Sequence, residues 1–138
     1  MSLQKHKRSF LETYSMIISP KLKEIDTYVK CSGSRFDVQE VASVLYLTPE
    51  EVHSIMKEKD IDNIDKKNFF TVMRGGSSDI CKLFRREIEC GSPYIYTKND
   101  ISYIYDLDPE TVNKACDDLR IKELTSYMLP ELFSHIAV

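Results

Sequence analysis

The chain has 138 residues, 42% hydrophobic and 30% charged, with a formal net charge of −3 at pH 7; this is ordinary globular composition, enough for one compact domain or two very small ones. It holds no apolar run near the roughly 18 residues that cross a bilayer, and its opening MSLQKHKRSF lacks the apolar core of a signal peptide. A soluble cytoplasmic protein with no membrane association is expected, and the Met-Ser-Leu opening and apolar Ile136-Ala137-Val138 end fit a piece of a longer chain.

Charge is spread unevenly. Residues 1–35 carry seven Lys/Arg against three Asp/Glu, a balance of +4, which leaves twelve against nineteen, or −7, for residues 36–138. That balance argues against indiscriminate DNA binding, which goes with a clear basic excess.

In chain order, Lys5-His6-Lys7-Arg8 form a basic start that reads either as an arm on DNA or as a solvated end. SFLETYSMII (9–18) opens on a capping-box pattern, Ser9 to Glu12, and places Phe10, Leu11, Tyr14, Ile17 and Ile18 on one helical face; Pro20 predicts its end. KLKEIDTYVKC (21–31) puts Leu22, Ile25, Tyr28 and Val29 on one stripe, stopped by Ser32-Gly33. VQEVASVL (38–45) is a short second helix. A third begins at LTPEEV (47–52), where Thr48 is the N-cap, Pro49 the first helical residue, and Glu51 closes a capping box. KDIDNIDKKNFFTVM (59–73) predicts a small β-hairpin with Asp65-Lys66-Lys67-Asn68 at its tip. ICKLFRREIEC (80–90) is again helical, with Ile80, Leu83, Phe84 and Ile88 on one face, and KNDISYIY (98–105) follows. LDPETV (107–112) then repeats the cap and the proline with Thr111 in place of the glutamate, and RIKELTSYMLPELFSHI (120–136) reads as more helical than strand-like.

The recurrence of LTPEEV as LDPETV is part of a longer pattern. From residue 36 similar residues recur sixty positions on: Phe36/Tyr96, Glu40/Asp100, Val41/Ile101, Val44/Ile104, Leu47/Leu107, Pro49/Pro109, Val52/Val112 and Ile61/Ile121. A fixed offset over some 25 positions is the mark of an internal duplication. The expected organisation is an N-terminal helix (1–19), a first unit (20–76) and a second unit (77–138).

Within each copy a small residue in one helix is followed by apolar residues three, five, ten and thirteen positions later, the spacing by which two helices pack across a tight turn. Ala42, Leu45, Leu47, Val52 and Ile55 meet it, and Ser102, Tyr105, Leu107, Val112 and Ala115 meet it again. With the hairpin and the helix after it, residues 36–84 resemble the excisionase-type or MerR-type winged helix, a helix-turn-helix DNA-binding domain, over about 50 of the 138 residues. The resemblance implies a mainly α fold of two tandem helix-turn-helix units, the first with a small β-hairpin wing. It implies a transcriptional regulator or phage/mobile-element accessory protein that binds double-stranded DNA. Thr48, His53, Ser54 and Lys57 would face the major groove, with Asn113 and Lys114 as their counterparts in the second unit, and Lys66 and Lys67 at the wing tip would meet the phosphate backbone. The family commonly has glycine at the turn, where this chain has Tyr46 and Asp106; tyrosine tolerates a left-handed backbone poorly, so the first turn is expected to differ in shape.

Carboxylates at Glu50, Asp108, Glu110 and Asp117 repel phosphates. They support an alternative, a protein-protein interaction module on the same scaffold that binds no DNA and presents acidic helix faces to a partner. Lys82, Arg85 and Arg86 form a basic helix face suited to phosphate or to pairing with Glu87 and Glu89. The eight tyrosines and six phenylalanines fall mostly on periodic apolar faces and read as core, not as a base-stacking platform. No enzyme is expected: Gly75-Gly76 lacks the lysine and hydroxyl of a phosphate loop, and His53 and His135 sit in no nucleophile arrangement. Cys31, Cys81, Cys90 and Cys116 form no C-x-x-C pair, so reduced and mostly buried thiols are expected, with no metal, cofactor or small-molecule substrate.

Overall fold

A computed structural model describes residues 9–33, 36–91 and 94–137; the basic start Lys5-His6-Lys7-Arg8 lies outside the described residues. The protein is mainly helical with one small two-stranded antiparallel sheet. Helix α1 (Phe10–Thr13), a π-helical turn (Tyr14–Ile18) and α2 (Ser19–Cys31) follow one another without a break. The stop expected before Pro20 does not occur. The Ser19 N–H bonds the Tyr14 carbonyl five residues back, and this wider register accommodates a proline ring that would strike the carbonyl four residues back in an α-helix. Ser9 makes no side-chain cap, so the expected box with Glu12 is absent as well.

The chain forms two compact units. One runs from Pro20 to Glu89 and contains α2, α3 (Val38–Leu45), α4 (Pro49–Glu58), α5 (Phe69–Gly75) and α6 (Asp79–Glu89). Asp37 caps α3 by accepting from the Glu40 N–H at 3.2 Å. Ile25 from α2, Val41 and Leu45 from α3, Val52 from α4, Phe69, Val72 and Met73 from α5, and Ile80 and Cys81 from α6 share one core. The last helix therefore belongs with this unit, because Ile80 and Cys81 are part of its core.

The β-hairpin wing expected over 59–73 is not formed. Asp65 Oδ1 accepts the backbone N–H groups of Lys67 and Asn68 at 2.8 and 2.9 Å, while Asn68 Oδ1 accepts that of Asp65 at 2.7 Å. This reciprocal turn launches α5, and Phe69, Val72 and Met73 are buried at helical spacing while Phe70 and Thr71 face solvent. The aromatic and β-branched run Phe69-Phe70-Thr71-Val72 suggests a strand by propensity; burial at i, i+3 and i+4 overrides it.

The other unit comprises Met1–Ser19 and Cys90–Val138. It contains α1 and the π turn, then β1 (Ile95–Tyr96), α7 (Lys98–Tyr105), α8 (Pro109–Asp118), β2 (Leu124–Thr125), a 3₁₀ turn (Ser126–Met128) and α9 (Leu129–Ser134). The small sheet is here and not in the first unit: Ile95 pairs with Thr125 and Tyr96 with Leu124, closing the ends of the α7–α8 pair. Phe10, Ile101, Val112, Leu129, Leu132 and Phe133 make the core.

The duplication is visible in the backbone. Tyr46 and Asp106 are both left-handed, at φ 56° and 54°, as are Asp60 and Arg120, at 55° and 54°. Leu47 N–H bonds the Ala42 carbonyl and Leu107 N–H the Ser102 carbonyl; Ile61 to Met56 and Ile121 to Cys116 repeat the pattern at the ends of α4 and α8. The buried and exposed positions of 61–77 match those of 121–137 one for one. The repeat thus runs on through α5 and α9, past the point where the two sequences read differently. The first turn does not differ in shape from the second. Lys21 Nζ lies 3.8 Å from the centre of the Tyr46 ring and is held by Glu24 at 2.6 Å. A cation over a tyrosine face contributes about 0.5–2 kcal/mol, which offsets a left-handed penalty of about 1–2 kcal/mol.

Candidate functional site

Helix α4 starts where Thr48 Oγ1 accepts the Glu51 N–H at 3.1 Å. The Glu51 side chain does not reach back to close the expected capping box. Its two oxygens instead accept from the backbone N–H and the hydroxyl of Ser77, each at 2.8 Å, and tie down the link between α5 and α6. Val52, Ile55 and Met56 bury one stripe of α4, so Glu50, His53, Ser54 and Lys57 lie on the exposed side. Among the described residues, the side chains of His53, Ser54 and Lys57 hold no hydrogen bond or ion pair. Thr48 is exposed but already committed as a cap.

Lys66 and Lys67 are exposed in the turn that enters α5, with the Lys67 N–H bonded to Asp65. They sit on a helix entry and not on a hairpin tip. On α6, Lys82 is exposed. Arg85 Nε donates to the Arg74 carbonyl at 2.9 Å and Nη2 to the Gly76 carbonyl, so its guanidinium satisfies the end of α5 and does not pair with the neighbouring glutamates.

The second unit presents a different face. Asp108 accepts both the N–H and the hydroxyl of Thr111, at 3.0 and 2.9 Å, and Thr97 with Asp100 forms a full capping box ahead of α7. Val112, Ala115 and Cys116 are buried on α8, leaving Glu110, Asn113, Lys114 and Asp117 exposed. Lys98 Nζ donates to Asn113 Oδ1 at 2.7 Å and lies 3.7 Å from Asp117. This latch ties α7 to the outer face of α8 and takes up the amide oxygen that would otherwise be offered outward. Val38 stands at the matching place in the first unit, so α4 has no latch of this kind.

No family model, curated protein or solved structure matches the chain. Among the described residues no helix is long and apolar enough to cross a membrane, and no group of His, Cys, Asp and Glu is placed to hold a metal ion. The Cys81 and Cys116 thiols are buried, and burial pushes both above the ordinary thiol value; Cys31 is exposed.

The expected site residues therefore divide. His53, Ser54 and Lys57 share one open face, Lys66 and Lys67 are open on their own turn, Lys114 is open on α8, and Thr48 and Asn113 are already bonded. Lys98, Lys21 and Arg85, which organise these surfaces, have partners fifteen, twenty-five and nine to eleven residues away. No helical or strand period marks such pairs. For the latch, the sequence signal is Lys98 standing where the first copy has Val38.

Proposed function

We propose that the chain is a cytoplasmic DNA-binding protein of the tandem helix-turn-helix, excisionase-like class, a transcriptional regulator or mobile-element accessory protein, with α4 as the helix that enters the major groove. The supporting observation is the contrast between the two units. The face of α4 offers an imidazole, a hydroxyl and an ammonium without intramolecular partners, whereas Lys98 occupies the face of α8. His53 and Ser54 are suited to base edges, Lys57 to a base or a phosphate, and Lys66 and Lys67 to the backbone.

A second reading is favoured for the second unit alone. Its α8 carries Glu110, Asp117 and Asp118 against Lys114 as the helix's one cation, and a protein partner with a basic surface would complement that face. In this reading the first unit holds DNA and the second recruits protein.

The test is binding of a mixed-sequence duplex by the full chain at two salt concentrations, with the Lys66→Ala/Lys67→Ala double variant alongside. The proposal expects affinity to fall with salt, and a slope shallower in the variant by about one unit per lost phosphate contact. Absence of binding at low salt refutes it and leaves protein interaction as the function of both units.

A further inference from the structure

The helix that closes each unit reaches it by a different covalent route. In the first unit α6 follows α5 directly through Gly76, Ser77 and Ser78, and it anchors with Ile80, Cys81 and Phe84, a spacing of i, i+1 and i+4. In the second unit α9 is followed by no such helix among the described residues. Its place is taken by residues 10–18 from the other end of the chain, where Phe10, Leu11 and Tyr14 repeat the same spacing and Ile18 packs one turn further on. Phe10 and Tyr14 both pack against Tyr105 and Phe133, with ring centres 4.8–6.1 Å apart. Tyr105 and Phe133 are the sixty-residue counterparts of Leu45 and Met73, and Leu45 is the residue whose carbonyl takes the Ser78 hydroxyl as α6 begins. The entry is clasped by backbone as well: Ser9 bridges Ala137, and the Phe10 N–H bonds the Ile136 carbonyl at 2.6 Å.

We propose that the groove formed by Tyr105 and Phe133 is a docking site for residues 10–18 that a second copy of the chain can fill in exchange, giving a helix-swapped dimer. Closure of this unit depends on a helix joined to it only through a distant part of the chain. Every copy carries both groove and helix, so exchange keeps each native contact and its cost is that of association. The chain passes from one compact unit to the other between Ser19 and Pro20, directly after the π turn, and exchange requires the continuous helix to open at that turn. Met16 and Ile17, 77% and 64% exposed, lie within the turn. Exposed apolar side chains beside the exchanging segment are a surface that a second copy, carrying the same pair, would cover. The inference is independent of DNA binding.

The experiment uses the full chain with Ser9→Cys and Ala137→Cys, and with Cys31→Ser and Cys90→Ser to remove the less buried thiols. Antiparallel bridge partners have Cα atoms about 4.5–5.5 Å apart, within disulfide range. Oxidised glutathione converts the two thiols to one disulfide and is itself reduced. Dilute protein is expected to give a monomer with an internal 9–137 link. Concentrated protein taken through partial denaturation and back is expected to give a covalent dimer linked 9 to 137 between chains, with unchanged helicity. An internal link alone at every concentration overturns the exchange, and no 9–137 link of either kind overturns the clasp itself.

Discussion

Replacing Gly76 with alanine tests the joint between α5 and α6 with a single methyl group. A Cβ at this position lies 2.6 Å from Cys81 Sγ, 2.9 Å from Leu47 Cδ1 and 3.1 Å from Cys81 Cβ. Cys81 is fully buried and Leu47 nearly so, so neither neighbour has free space to swing into. The backbone itself is ordinary, at φ −76° and ψ 157°. Alanine there should gain about 0.4–1 kcal/mol from a less flexible unfolded chain, while overpacking costs about 1–3 kcal/mol. The expected net loss is about 1–2 kcal/mol. Cys81→Ala alone removes a buried sulfur at about 1 kcal/mol. It also removes the nearest of the three contacts and leaves space into which the others can relax, so the double variant should be more stable than the sum of the two losses by about 1 kcal/mol. Urea unfolding of the full chain followed by helicity reads this as shifts in midpoint at constant slope. A Gly76→Ala variant as stable as the parent, or losses that simply add, would refute the reasoning.

The two left-handed turns should respond differently to glycine. Asp106→Gly relieves little, because aspartate tolerates the left-handed region, and should stabilise by no more than about 0.5 kcal/mol, whereas Tyr46→Gly relieves about 1–2 kcal/mol but loses a Lys21 contact of about 0.5–2 kcal/mol and should be near neutral; a clear gain in unfolding midpoint for Tyr46→Gly would mean that the cation–π contact contributes nothing. Burial raises the thiols of Cys81 and Cys116 above their ordinary 9.0. The unfolded chain therefore loses these protons first, and the stability involved is intact below pH 9.0 and lost as pH climbs through the raised folded values. The alkaline decline in unfolding midpoint should be shallower in Cys81→Ala/Cys116→Ala than in the parent, and a parallel decline would contradict this assignment. A thiol reagent at neutral pH should modify Cys31 rapidly and reach Cys81 and Cys116 only on unfolding; early modification of Cys81 would show that the α5–α6 joint opens.

Much of the fold was legible because it is written in local periods. The stripes of α2, α3, α4, α6, α7 and α8, the proline starts of α4 and α8, and the sixty-residue offset all follow from residue spacing that survives without tertiary context. What failed was decided by longer-range or competing interactions. Phe69-Phe70-Thr71-Val72 has strand propensity, but the Asp65–Asn68 turn and a core that takes Phe69, Val72 and Met73 make it α5. Pro20 is an end signal that the π turn evades. Glu51 has the spacing of a capping box, yet Ser77, twenty-six residues on, offers its carboxylate two donors. The candidate site divides in the same way. Burial of Val52, Ile55 and Met56 makes the exposure of His53, Ser54 and Lys57 readable from sequence, while the capture of Asn113 by Lys98 depends on how α7 crosses α8 and leaves no mark on either helix's own period.

The most direct measurement is a titration of the isotope-labelled full chain with a mixed-sequence duplex at low salt, followed by backbone amide shifts. If α4 is the reading helix, perturbations should cluster at residues 48–57 and at Lys66 and Lys67, with the α8 amides of 109–118 left unmoved. Perturbation centred on α8, or none at any DNA concentration, would contradict that claim.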